Sequence, residues 1–261
     1  MWDTVIGHLR QTQGLPSARG ISPRFLYLKG GVALSKILSA FLDEAGQEKK
    51  WEPGAKWYLL TLVLHDQDDD ISVPVGAYER YIRSKGLPDI PFHMVELMHG
   101  RRSYEGVELA DRKRLLMSFN ALVQRLPIRY HTFAYRRSEF DDYHVLSDRM
   151  KRDLKSFIGD HLAEFQEFDT VAIYYDGGQS AVTQAVHGAF DEALSANTAE
   201  YKRLRFQERR LSQVADYLCS IELADLRFMD GDVSATYERV YGSRRMFRAN
   251  YLKQARRKRI V

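Results

Sequence analysis

The sequence feature that most restricts the fold is a run of ten residues, from Lys56 to His65, that is apolar almost throughout. The run lacks the alternation of a strand with one solvated face, so it predicts a strand buried on both faces. Two further short apolar runs, 37–42 and 170–175, predict buried strands as well. A sheet made of such strands needs helices on both faces, and the chain is therefore predicted to be an α/β protein.

The rest of the chain alternates between helix and strand patterns, as is typical of a mixed or parallel sheet covered by helices. Amphipathic spacing predicts helices at 74–86, 108–126, 142–168, 179–196, 210–227 and 233–258, the last interrupted at Gly242. Further strands are predicted at 128–136 and 201–206. We expect one domain, residues 36–261, with about five strands and helical insertions.

Residues 1–35 differ in composition from this domain and are predicted to form an N-terminal extension or arm. The segment 11–23 is rich in Gly, Ser, Pro and Gln and has little periodicity. The triplet Lys29-Gly30-Gly31 is also compatible with a translated ribosome-binding site that places the natural start at Leu34. On that hypothesis, residues 1–33 lie outside the core fold.

The charge of the chain is unevenly distributed. Its net charge is +4, yet nine Lys or Arg and no Asp or Glu follow Glu238, so the preceding part is acidic overall. A basic C-terminal segment is typical of proteins that bind a phosphate backbone, and it is equally typical of a solvated terminal helix. The basic residues that would contact nucleic acid are Arg244, Arg245, Arg248, Lys253, Arg256, Arg257, Lys258 and Arg259.

A single cysteine, Cys219, excludes a disulfide within the chain and a zinc ribbon, and it is typical of a reducing cytoplasm. No apolar run approaches the length of a membrane span, so no membrane partner is expected. The first residues carry Asp3 and His8 and lack the apolar core of a secretory signal. We therefore expect a cytoplasmic protein.

Carboxylates stand at three places that a folded sheet could bring together. Asp43 and Glu44 end the first apolar strand, Asp176 ends the strand at 170–175, and Asp216 lies on a predicted helix. Mg²⁺ prefers hard oxygen ligands and keeps several waters, so a few convergent carboxylates can hold it. Each position also has a structural interpretation, because Asp is a common turn residue and Asp216 could pair with Arg209 or Arg210.

His93 and Glu96 lie in the short apolar segment 90–100. They are three residues apart, so they would share a face on a helix and point to opposite faces on a strand. His93 could orient a water or transfer a proton, because its unperturbed pKa is near neutral, or it could be a hydrogen-bonded core histidine. Gln213 and Asp216 are also three apart and place an amide and a carboxylate on one helix face.

These segments carry a resemblance to a known protein family. Five segments resemble, in the same order, the signature of the domain of unknown function 3800 family. They are Phe41-Leu42-Asp43-Glu44-Ala45-Gly46, Phe92-His93-Met94-Val95-Glu96, the strand that ends at Asp176, Leu211-Ser212-Gln213-Val214-Ala215-Asp216 and Tyr241-Gly242-Ser243-Arg244-Arg245-Met246-Phe247. The family is grouped with ribonuclease H-like folds, so the resemblance implies a mixed sheet flanked by helices. Two positions depart from the pattern: Ala45 stands where Ser is usual, and the usual Asp-Ser is missing before Gln213.

The resemblance implies a Mg²⁺- or Mn²⁺-dependent nuclease that hydrolyses phosphodiester bonds in DNA or RNA by a two-metal mechanism. The implied site residues are Asp43, Asp176 and Asp216 as metal ligands and catalytic residues, Glu44 and His93 as further catalytic residues, and Glu96 and Gln213 as supporting residues. The expected partner is nucleic acid.

Two alternatives remain open from the sequence. The first is a non-catalytic nucleic-acid- or partner-binding module of the same fold. The second is a nucleotidyltransferase, because the Gly30-Gly31 pair resembles the phosphate-binding turn of those enzymes. That family also needs an Asp-x-Asp pair, and the adjacent Asp43-Glu44 does not supply its spacing.

Overall fold

The structure is a computed structural model that describes residues 35–46, 56–175, 180–194, 198–203 and 209–260. The chain divides into two units, Met1–Leu34 and Ser35–Val261, and all described residues belong to the second. The predicted arm, except for Ser35, and the Gly30-Gly31 pair therefore lie outside the described residues. No helix within the described ranges is both long and apolar enough to cross a lipid bilayer.

Within these ranges a five-stranded mixed sheet forms the centre of the second unit, which confirms the predicted α/β architecture. The strands are β1 (Ile37–Ala45), β2 (Trp57–Asp66), β3 (Arg129–Arg136), β4 (Thr170–Tyr175) and β5 (Ala199–Tyr201). Their order across the sheet is β3-β2-β1-β4-β5, and β1 is antiparallel to β2 and parallel to β4. Strand β1, which carries Asp43, is therefore central and paired on both sides.

Helices cover both faces of the sheet, as the continuous apolar strands require. The helices of the described ranges are α1 (Ser72–Ser84), α2 (Met94–His99), α3 (Leu109–Arg125), α4 (Tyr143–Asp160), α5 (Leu162–Phe165), α6 (Ser180–Ala193), α7 (Arg209–Met229), α8 (Ala235–Tyr241), α9 (Arg244–Phe247) and α10 (Lys253–Ala255). A π-helical turn, Arg248–Leu252, joins α9 to α10, and a 3₁₀ turn, Arg256–Lys258, follows. We call the continuous helical segment 244–258 the C-terminal helix.

The alternation of side chains along β1 divides the core into two layers. Leu38, Ala40 and Leu42 pack with apolar residues of α4 and α6 on one face of the sheet. Phe41 and Val63 pack on the other face with α1, α2, α3, α7 and the C-terminal helix. Odd-numbered residues of β1 therefore face α7 and even-numbered residues face α4. This alternation decides where the two acidic residues of the strand point.

Strand β1 ends one residue after the predicted acidic pair, because Asp43 and Glu44 stay paired with β2 and the pairing continues to Ala45. Two other predicted boundaries are wrong. The predicted helix 142–168 divides into α4 and α5 at His161, whose Nδ1 lies 2.8 Å from the Phe157 carbonyl oxygen. The last strand ends at Tyr201 instead of starting there, because a three-residue edge strand is too short to be located by its pattern.

Candidate functional site

Helix α7 brings Asp216 to the central strand of the sheet. Its apolar stripe packs on the odd-numbered face of β1, and the side chain of Asp216, at the edge of that stripe, is 19% exposed. Asp43 is half-buried on the same face of β1. Cys219, almost one turn further along α7, is buried with its Sγ 4.0 Å from the Leu59 carbonyl oxygen. The register of α7 on the sheet thus places Asp216 near Asp43.

Asp216 is held by groups from two helices. The Met94 backbone N–H donates to Asp216 Oδ2 at 2.8 Å, and the Ser220 hydroxyl donates to Oδ1 at 3.4 Å. His93 Nδ1 lies 3.7 Å from Oδ2, and the His93 side chain is 50% exposed. Because Met94 is the first residue of α2, the start of this helix both orients Asp216 and places His93 beside it.

The environment of both aspartates opposes their ionisation. Burial raises the pKa of Asp43 well above its ordinary value, and the nearby charge of Asp216 raises it further, against a hydrogen bond from the Glu44 backbone. Burial also raises the pKa of Asp216, while His93 and the Met94 N–H act in the opposite direction. Within the described ranges, no Lys or Arg forms an ion pair with either carboxylate. A bound cation would therefore favour the ionised forms of both groups.

Glu44 lies on the opposite face of β1 from Asp43, because adjacent strand residues point to opposite faces. Its carboxylate accepts a hydrogen bond from the Tyr58 hydroxyl. The hydroxyls of Tyr58 and Tyr143 are 2.9 Å apart, and Tyr143 begins α4. The structure thus separates the two acidic neighbours, and Glu44 belongs to the α4 side of the sheet.

Glu96 lies on α2, as the helical interpretation of the 90–100 segment requires. Its charge raises the pKa of Asp216, and its Oε1 accepts a hydrogen bond from Arg102 Nη1 at 3.3 Å. Arg102 has a φ of 52°, the one positive φ of a non-glycine residue in the described ranges. A left-handed conformation costs a non-glycine residue about 1–2 kcal/mol, so neighbouring contacts must hold this turn.

Asp176 lies outside the described residues. Tyr175, the last residue of β4, is paired in parallel with Leu42, the residue that precedes Asp43. In the sequence, Asp176 follows Tyr175 directly. Strands β1 and β4 are therefore parallel neighbours as far as Leu42 and Tyr175, and the part that Asp176 plays in the site stays a prediction.

Gln213 is tied to an arginine on its own helix. Arg210 Nη1 donates to Gln213 Oε1 at 3.1 Å, and Arg210 also forms ion pairs with Glu79 and Asp89. Arg210 is therefore paired with Glu79 of α1 and with Asp89, and it does not form the ion pair with Asp216 that the sequence left open.

The basic residues from Arg244 to Arg259 fall into two groups. Arg256 Nη2 lies 2.6 Å from Glu222 Oε2 and 2.9 Å from Asp225 Oδ2, both buried on α7. Lys258 Nζ donates to the Leu126 carbonyl at 2.6 Å, and Arg259 Nη1 lies 3.7 Å from Glu222 Oε1. The exposed group comprises Arg244, Arg245, Arg248, Lys253 and Arg257. The first group anchors the chain end, and the second faces solvent.

Two groups around Asp216 were not predicted from the sequence. Ser220 follows Asp216 by four residues on a helix that was predicted, so helical spacing was sufficient to identify it. Arg102 could not be found in this way, because its contact with Glu96 depends on the turn after α2, where Gly100 ends the helix with a φ of 61°.

The described residues contain no group of three or more His, Cys, Asp or Glu side chains placed to hold a metal ion. No family model, curated protein or solved structure matches the chain. The resemblance noted in the sequence therefore stays a prediction, and the candidate site rests on the geometry of Asp43, Asp216 and His93.

Proposed function

We propose that the protein is a divalent-metal-dependent nuclease whose site is built on Asp43 and Asp216. The observation that carries the proposal is that these two carboxylates, from distant parts of the chain, lie on the α7 side of the central strand, close enough for the charge of Asp216 to raise the pKa of Asp43. Carboxylates that perturb one another in this way are typical of functional sites. The mixed five-stranded sheet flanked by helices also agrees with the ribonuclease H-like fold that the resemblance implies.

The donor chemistry of these residues fits Mg²⁺ or Mn²⁺. Both ions take hard oxygen ligands and keep several waters, so they do not need a complete cage of protein donors. Asp43 and Asp216 would hold the ion, with Asp176 as the proposed third carboxylate. A bound ion of this kind would polarise the phosphodiester and lower the pKa of a bound water.

Neighbouring groups orient the side chains of the site even in the absence of a metal. The Met94 N–H and the Ser220 hydroxyl fix the orientation of the Asp216 carboxylate. His93 is half exposed beside that carboxylate, so it can exchange protons with bulk water and transfer one at the reacting phosphate. Glu96 would support the site by holding Arg102 close to it.

Cleavage assays test the proposal. Duplex DNA, single-stranded DNA, RNA and an RNA–DNA hybrid would each be incubated with protein and Mg²⁺ or Mn²⁺. We expect Asp43→Asn and Asp216→Asn to lower cleavage at least about 100-fold, because even residues that only orient a metal ligand contribute about 10–100-fold. Asp148→Asn, an exposed carboxylate on α4, is the matched control and should cleave like the parent.

A non-catalytic binding module of the same fold is the second candidate. It is favoured by one observation, namely that the described residues lack a three-ligand metal group. The assays separate the two functions. If the parent protein cleaves no nucleic acid with either metal but still binds at least one of the nucleic acids, the result would support the binding module and contradict the nuclease.

A further inference from the structure

The C-terminal helix has one apolar side and one basic side. Phe247, Tyr251, Leu252 and Ala255 are buried in the core layer that contains α7. The ring centroids of Phe247 and Tyr241 lie 5.0 Å apart and those of Phe247 and Phe228 lie 5.1 Å apart. The helix is therefore fixed by aromatic packing, and the side chains on its other side project from a rigid support.

The ion pairs at the end of this helix add to that rigidity. Arg256 is held by Glu222 and Asp225 on α7, and the Ile260 N–H donates to the Tyr130 carbonyl oxygen of β3 at 2.8 Å. By contrast, the exposed group forms no ion pair within the described part of the chain. Charges that are exposed, unneutralised and held on a fixed backbone are suited to bind an external polyanion.

These exposed residues, together with Ala249 and Leu252, line an open groove of about 860 Å³ along one side of the helix. Its basic lining residues are Arg244, Arg245, Arg248, Lys253, Arg256 and Arg257. From Arg244 to Arg257 the helix rises about 20 Å at 1.5 Å per residue. Measured along the duplex axis, the phosphates of one DNA strand follow one another about every 3.4 Å, so about six of them fall within this length. The five exposed cations are thus comparable in number to the phosphates of one strand over the same length.

We propose that this groove, which we call the C-terminal groove, is a docking site for the phosphodiester backbone of nucleic acid. The inference deepens the proposed nuclease function by assigning where substrate is held, and it rests on that function for its biological purpose. Packing links the helix of the groove to the candidate site, because Phe247 contacts Tyr241 of α8 and the Tyr241 hydroxyl lies 3.8 Å from Met94 Sδ, while the Met94 N–H holds Asp216.

The basic residues have two roles. The five exposed ones, Arg244, Arg245, Arg248, Lys253 and Arg257, contact phosphates, whereas Arg256 is a positioning residue that fixes the helix. Five phosphate contacts predict a slope of log K against log salt of about −4.5 for duplex DNA and about −3.5 for a single strand. Between 50 and 200 mM salt, the duplex affinity of the parent should fall about 500-fold on this slope.

The experiment measures fluorescence anisotropy of labelled duplex DNA and single-stranded RNA in EDTA, with Asp43→Asn as the background so that no cleavage occurs. In the variant Arg245→Ala/Arg248→Ala/Lys253→Ala, two contacts remain, so the duplex slope should fall to about −1.8. The matched control is Arg149→Ala/Arg152→Ala/Lys155→Ala, which removes the same charge from α4 on the opposite face of the sheet. Its slope should equal that of the background protein.

Three results would overturn the proposal: an unchanged slope in the groove variant, an equal loss in the α4 control, or binding of poly-glutamate as tight as that of DNA of equal charge. Failure of the groove is distinguishable from failure of the nuclease. If the parent cleaves and the groove variant keeps the full slope, only the docking site is refuted. If the slope falls as expected and Asp43→Asn cleaves like the parent, only the catalytic assignment is refuted.

Discussion

Arg256→Met should destabilise the protein strongly, although the sequence places Arg256 among equivalent basic residues. Its guanidinium contacts both Glu222 and Asp225 at 2.6 and 2.9 Å, and the side chains of those acids are only 5% and 6% exposed. The substitution keeps most of the side-chain volume and removes the charge. Two buried carboxylates then lose their closest cation.

The expected loss follows from this geometry. Removal of one partner from a buried ion pair costs about 3–5 kcal/mol. We expect the lower end, about 3 kcal/mol, because Arg256 is itself 36% exposed and because Arg259 and the Tyr130 hydroxyl still contact Glu222. For a domain of this size, such a loss lowers Tm by about 6–12 °C.

Thermal and urea unfolding monitored by circular dichroism would measure the change. Arg257→Met is the matched control, since Arg257 is adjacent and exposed, and its effect should stay within about 0.5 kcal/mol. Adding Glu222→Gln to Arg256→Met should restore part of the stability by removing one uncompensated charge. Equal effects of Arg256→Met and Arg257→Met, or no recovery in the double variant, would refute this account of the anchor.

Two further predictions concern the acidic residues of β1. Asp43→Asn should stabilise the metal-free protein near neutral pH by about 0.5–2 kcal/mol, the usual range for a stabilising change. Because the pKa of Asp43 is raised in the folded state, the parent loses stability as pH rises through that pKa. The difference in free energy of unfolding between Asp43→Asn and the parent should therefore vanish below about pH 4, where Asp43 is protonated in both the folded and the unfolded state. A difference that persists there would contradict the direction of the pKa shift. Tyr58→Phe removes the hydrogen bond to Glu44 on the other face, and it should lower stability by about 1.5–3 kcal/mol while leaving cleavage unchanged. A drop in cleavage at equal folded fraction would show that the two faces are functionally linked.

The central strands were predictable because their burial on both faces leaves a continuous apolar pattern. Strands β2 and β4 were located to within one residue at either end. The end of β1 was located to within one residue as well, since the strand runs one residue past the acidic pair, to Ala45. Edge strand β5 was misplaced because three residues carry too little pattern.

The site was predictable in part. The amphipathic pattern correctly placed Asp216 on a helix, α7, whereas the sequence left open whether His93 and Glu96 lie on a helix or a strand; Glu96 lies on α2 and His93 directly precedes it. Strand alternation puts Asp43 and Glu44 on opposite faces of β1, but only the packing shows that α7 covers the face of Asp43 and α4 the face of Glu44. The two roles within the C-terminal helix could not be predicted either, because only the packing of Phe247 and Leu252 against the core decides which basic residues meet α7.

The most direct test of the account is a calorimetric titration of the protein with Mn²⁺. The central claim is that Asp43 and Asp216 form one cation site, so the parent and the control Asp148→Asn should bind Mn²⁺ with the same affinity. Asp43→Asn and Asp216→Asn should each lose that binding, and the double variant should be no weaker than either single variant. Binding that persists unchanged in both single variants would contradict the claim.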